Sequence, residues 1–194
     1  MAVLYTTVAK EAHAEQTIEK SRFIAHIKPV STKEEADAYI AQIRAQYRDA
    51  THNVPAFVIG DKMQLQWGSD DGEPSGTSGT PMAQMFQKMG ITNVVVVVTR
   101  YFGGIKLGPG GLVRAYTSSA KLALEAAGLY EVREMITDTL SVPYHLFDKI
   151  RYLSEHEPFD IKETVFTDKI AVTIEYEKDD EETVNNLLKD LLRK

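Results

Sequence analysis

Residues 94–120 read VVVVVTRYFGGIKLGPGGLVRAYTSSA, five valines followed by an arginine, a glycine-rich stretch and a second arginine. The five valines fall far short of the roughly 18 apolar residues that a membrane helix needs, and a β-branched run of this length suits a strand covered on both faces. From Gly111 to Ala127 the pattern turns helical. Leu112, Ala115, Tyr116, Ser119, Leu122, Ala123 and Ala126 share one stripe, and Gly128 provides a C-terminal stop. A strand, a glycine-rich turn and a helix start in succession present free backbone N–H groups to an anion. The candidate anion- or partner-binding residues are therefore Arg100, Gly103, Gly104, Lys106, Gly108, Gly110, Gly111 and Arg114. A cation in the first helical turn opposes the helix dipole at a cost of about 0.3–1 kcal/mol, so Arg114 calls for a negative neighbour. A bound anion would serve, as would Asp70, Asp71 or Glu73 from a supporting loop. In the plainer alternative Arg114 pairs with that acidic loop, and the glycines only let the chain turn.

Upstream, SRFIAHIKPV (21–30) predicts a strand and STKEEADAYIAQIRAQYR (31–48) a helix. The helix has Ser31 or Thr32 as its cap and Ala36, Tyr39, Ile40, Ile43 and Tyr47 on its apolar face. NVPAFVIG (53–60) reads as a buried strand with KMQLQW (62–67) as its hairpin partner across Gly60 and Asp61. The glycine- and proline-rich segment 68–81 is expected to be an ordered loop. It leads into a helix with Thr80 as cap and Pro81 in its first position. After Gly128 the order becomes βαββα, with EVREMITDTLSVPY, HLFDKIRYLSEH, two strands around Asp168 and a closing acidic-capped helix. That order is a ferredoxin-like split βαβ unit without its last strand. The expected architecture is α+β in two domains, residues 1–128 and 132–194.

The net charge of −6 is unevenly placed. Residues 1–128 carry 13 Lys and Arg against 12 Asp and Glu, while residues 129–194 carry 9 against 16. Affinity for phosphate must then come from local clusters in the first part. The absence of cysteine excludes disulfides, thiol catalysis and cysteine-ligated zinc. The N-terminal residues lack the basic flank and long apolar stretch of a signal peptide, which predicts a cytoplasmic protein.

No GxxxxGK[ST] loop, GxGxxG fingerprint or GxSxG elbow is present, and the five histidines have no metal-ligand spacing. His52 is a candidate general base with a packing role as its alternative, and the carboxylates of SDDGE could share a proton or hold magnesium. No cofactor or metal is expected.

SRFIA, HNVPAFVIG, DDGEPSGTSGTPM and VVTRYFGGIKLGPGGLVRAY together resemble the hallmark segments of the IMPACT family, in particular its bacterial YigZ-type members. The resemblance implies an N-terminal domain like the second domain of ribosomal protein S5 and a C-terminal ferredoxin-like domain similar to domains of elongation factor G. It also implies a link to translation. The eukaryotic relative restrains an amino-acid-starvation kinase by competing for its activator, a pathway that bacteria lack. The resulting expectation is a non-enzymatic regulator whose partner is RNA, the ribosome or a translation factor, with no membrane or DNA partner. The rival is a phosphate-handling enzyme, because the S5-like fold is shared with small-molecule kinases.

Overall fold

The computed structural model describes residues 3–192. In chain order its elements are β1 (Val3–Val8), β2 (Ala12–Ile18), β3 (Ser21–Pro29), α1 (Lys33–Gln46), β4 (His52–Ile59), β5 (Leu65–Gly68), α2 (Gly79–Lys88), β6 (Val94–Tyr101), α3 (Gly108–Ala127), β7 (Leu129–Arg133), β8 (Met135–Val142), α4 (Tyr144–Ser154), β9 (Asp160–Phe166), β10 (Ile170–Glu177) and α5 (Glu181–Leu192). Contacts divide this α+β chain into two compact units, residues 5–132 and residues 133–192 with 3–4.

In the first unit the valine run is the centre of a five-stranded sheet of order β2-β3-β6-β4-β5. Both neighbours of β6 run antiparallel to it. Side chains on a strand alternate between faces. Val94, Val96 and Val98 pack with Leu112, Tyr116 and Phe86 of α3 and α2, whereas Val95 and Val97 pack with Tyr39, Ile40 and Ile43 of α1. The run is apolar throughout because both of its faces are cores. Thr32 caps α1 by accepting the Glu35 N–H at 3.2 Å.

Several local expectations need correction. The β4–β5 hairpin pairs Ile59 with Leu65, so its loop spans residues 60–64 instead of turning at Gly60 and Asp61. Helix α2 starts at Gly79 with Ser78 in the cap position, which puts Thr80 inside the first turn. Helix α3 starts at Gly108, so GPGG is its first turn and the connecting loop is 102–107. The segment expected as one strand from Glu131 breaks at Glu134. Its first part, β7, pairs with β1 in a separate two-stranded ribbon.

In the second unit α4 and α5 accompany an antiparallel sheet of order β8-β10-β9. Val142, Ile150, Ile170, Val172, Ile174, Val184 and Leu188 form its core. The strand order is that of a split βαβ unit, and among the described residues no fourth strand joins it. No described helix is long and apolar enough to cross a membrane.

Candidate functional site

Continuing the alternation of β6 from Val94, Val96 and Val98 sends Arg100 into the core face below α3. There it is 4% exposed. A buried guanidinium needs a carboxylate, and Glu73 supplies it: Arg100 Nη1 donates to Glu73 Oε1 at 2.6 Å. Tyr116 lies on the inward stripe of α3, and its hydroxyl donates to the same oxygen at 2.6 Å. Burial, followed by this bond to a carboxylate, raises the phenol well above its ordinary range. Arg100 Nη2 reaches Ser21 Oγ at 3.3 Å, and the guanidinium carbon lies 5.4 Å from the ring centres of both Phe23 and Phe102.

The acidic loop therefore serves other partners than Arg114. Asp70 Oδ1 accepts the N–H groups of Ser78 and Gly79, each at 3.1 Å, together with the Ser78 hydroxyl at 2.8 Å, while Oδ2 accepts the Gly76 N–H at 2.7 Å. It caps α2 from nine residues before the first helical residue, Gly79. Burial pushes the Asp70 carboxyl up, but the bonds from Gly76, Ser78 and Gly79 together outweigh it and hold the group below its usual range. Asp71 Oδ1 accepts from Arg44 at 3.0 Å and Oδ2 from the Asn53 N–H at 2.7 Å. The Asp71 carbonyl takes the Nδ1 hydrogen of His52 at 2.8 Å.

These contacts frame a cleft of about 390 Å³ lined by His52, Glu73, Arg100, Phe102, Lys106 and Gly108 among others. Lys106 is on its exposed rim, and Gly108 takes φ +69° to enter α3. No side chain caps that helix end. Gly103 has a structural role: a Cβ there would come within 2.0 Å of the Lys20 carbonyl group in the β2–β3 turn. Gly104 adopts φ +88° with nothing within 4 Å of a Cβ placed on it. Gly110 and Gly111 belong to the first helical turn and do not line the cleft.

Arg114 lies on another surface. It is exposed and lines a groove of about 610 Å³ between α2 and α3 with Met85, Lys88, Met89, Val113 and Lys121. The carboxylates of Asp70, Asp71 and Glu73 form no ion pair with it, which overturns the expected pairing of Arg114 with the acidic loop. Glu73 of that loop pairs instead with Arg100, a different arginine from the one that opposes the helix dipole. Burial on β6 is the stronger demand for a counter-charge, and the strand's own alternation could have revealed it.

Sequence comparison adds the relationship. The family model of the Impact N-terminal domain matches residues 19–124, and that of a domain of unknown function, DUF1949, matches residues 140–193. "IMPACT family member YvyE" of Bacillus subtilis is 43% identical over 166 residues, covering 86% of this chain and 76% of that protein. "IMPACT family member YigZ" of Escherichia coli is 39% identical over 141 residues, 71% of this chain and 69% of that one. A crystal structure described only as that of a hypothetical protein superposes with TM-score 0.64 at 31% identity over 97% of this chain and 93% of the other. With residues of all four quoted segments gathered in one unit and its family model matching more than half of the sequence, the chain belongs to the IMPACT family.

Proposed function

We infer that this chain is a non-enzymatic, translation-associated regulator that recognises RNA phosphate of the ribosome through the basic face of α2 and α3. Family membership supports the link to translation through what the sequence resemblance implies. The observation that carries the contact is a set of cations with no counter-charge. Among the described residues Lys88, Lys106, Arg114 and Lys121 have no ion-pair partner, and neither do Lys10, Lys20, Arg48 and Lys62 of the same unit, whereas Arg22, Lys28, Lys33, Arg44 and Arg100 are paired. Lys88, Arg114 and Lys121 share a groove whose lining contains no Asp or Glu. A net charge of −6 makes such a local cluster the surface open to a polyanion.

The roles of the sequence candidates divide accordingly. Arg114 with Lys88 and Lys121 makes the phosphate contacts, Lys106 stands apart on the rim of the cleft, Gly108, Gly110 and Gly111 shape the start of α3, and Arg100 with Glu73 holds the loop beneath. The test is sedimentation of lysate containing the tagged protein through sucrose gradients at two salt concentrations. Co-migration with ribosomal particles at low salt and release at high salt is the expected result. ATP turnover by the purified chain with no ribosomal association would replace this reading with the phosphate-handling enzyme.

A further inference from the structure

The cleft beside α3 is a second feature, separate from the basic groove, and three observations mark it as a built site. First, the Glu73 side chain is 4% exposed and both strong donors go to Oε1, so Oε2 has no hydrogen-bond partner among the described residues where Glu73 lines the cleft.

Second, His52 is held with its acceptor nitrogen toward the same carboxylate. A carbonyl only accepts, so the bond from Nδ1 to the Asp71 carbonyl puts the ring hydrogen on Nδ1. In the neutral ring Nε2 is then a bare lone pair 3.7 Å from Glu73 Oε1, beyond hydrogen-bond length. His52 Nε2 and the unpartnered Glu73 Oε2 are then two acceptors on residues that line the cleft, each open to a hydrogen-bond donor.

Third, the rim is positive and the walls are apolar. Lys106 and Gly108, at the uncapped start of α3, line it together with Phe102, Leu107, Pro109 and Leu112. Phe102 is 48% exposed, which leaves ring surface for stacking. The volume of about 390 Å³ falls within the roughly 300–1,000 Å³ of small-ligand sites.

We propose that this cleft binds one nucleoside monophosphate unit: its phosphate meets Lys106 and the α3 start, its ring system lies on Phe102, and its two ribose hydroxyls donate one hydrogen each to His52 Nε2 and Glu73 Oε2. A free mononucleotide and the 5′-phosphorylated end of an RNA chain present the same chemistry.

Titration calorimetry of the full chain with AMP tests it. Saturable binding is expected, with adenosine, inorganic phosphate and 2′,3′-dideoxyadenosine monophosphate each weaker by about tenfold. His52→Asn retains a donor for the Asp71 carbonyl but removes the Nε2 acceptor, and it should weaken AMP about tenfold, as should Lys106→Ala. Arg114→Ala should leave AMP affinity unchanged while reducing ribosome association, which separates this site from the function proposed above. A 5′-phosphorylated hexaribonucleotide run beside AMP identifies the source, the tighter binder being the natural form. Absence of saturable AMP and hexanucleotide binding, or equal affinity in the parent, His52→Asn and Lys106→Ala proteins as folded chains, overturns the proposal.

Discussion

Glu73 receives the Arg100 guanidinium at 2.6 Å with 4% and 5% of the two side chains exposed, and that ion pair ties the loop carrying DDGEP to the central strand of the sheet. The loop is ordered because the strand cannot bury its arginine without it. Truncating one partner of a buried pair leaves an uncompensated charge and typically costs about 3–5 kcal/mol.

Glu73→Ala should therefore lower the stability of the first unit by about 3–5 kcal/mol, because it strands Arg100 and removes the acceptor of Tyr116. Glu73→Gln should cost less, since a neutral amide oxygen still accepts from both. Urea unfolding followed through the tyrosine and tryptophan signals provides the comparison. Equal midpoints for Glu73→Ala and the parent would contradict the assignment.

The glycines near α3 should respond in opposite directions. Gly103→Ala should destabilise strongly, because its new methyl would meet the Lys20 carbonyl at 2.0 Å. Gly110→Ala has only the Arg114 guanidinium at 3.7 Å in its way and lies inside a helix, where alanine is worth about 1 kcal/mol over glycine. A raised melting temperature for Gly110→Ala and a lowered one for Gly103→Ala is the expected pair of results. Similar losses in both would mean that the helix does not begin at Gly108.

His26 on β3 predicts acid sensitivity. Burial, and then the nearby His13, push its imidazole down to about 4 from an ordinary 6.5. Its ring lies 6.3 Å from that of His13 and 4.9 Å from that of Tyr47, and Nε2 has no partner. Below pH 6.5 the unfolded chain takes up a proton that the folded chain refuses until about pH 4, so stability falls as pH drops through that window. At 1.36 kcal/mol per pKa unit the loss reaches roughly 3 kcal/mol. Unfolding midpoints at pH 7 and pH 4.5 should lie closer together in His26→Phe than in the parent. An unchanged gap would remove His26 as the cause.

Much of this architecture was legible in the sequence where one period dominates. The valine run, the stripe of α3 and the capped α1 each follow from alternation or helical spacing of apolar residues that face a core. Strands β1 and β2 were not read. The inward positions of β2 include Ala12, Ala14 and Gln16, small or polar because α3 packs closely there and Gln16 bonds Ser118 and Ser119 at 2.8 and 2.7 Å. Such a strand gives little apolar alternation to detect. The pairing of β1 with β7 joins residues more than 120 positions apart, which no local pattern encodes. The cleft was half legible. Glu73, Arg100, Lys106, Gly108 and His52 were all singled out, but only the fold brings the carboxylate to Arg100 and turns Arg114 outward beside Lys88 and Lys121.

Recognition of phosphate by the unpaired cations of α2 and α3 should show in a salt titration of RNA binding. Each phosphate contact on single-stranded nucleic acid contributes about 0.7 to the slope of log K against log salt. For ribosomal RNA fragments the parent should therefore show a slope near −2 or steeper, and the folded variant with Lys88, Arg114 and Lys121 all replaced by alanine should lose about 2 units of it. Identical slopes and affinities for the parent and the triple variant would mean that these cations do not contact phosphate.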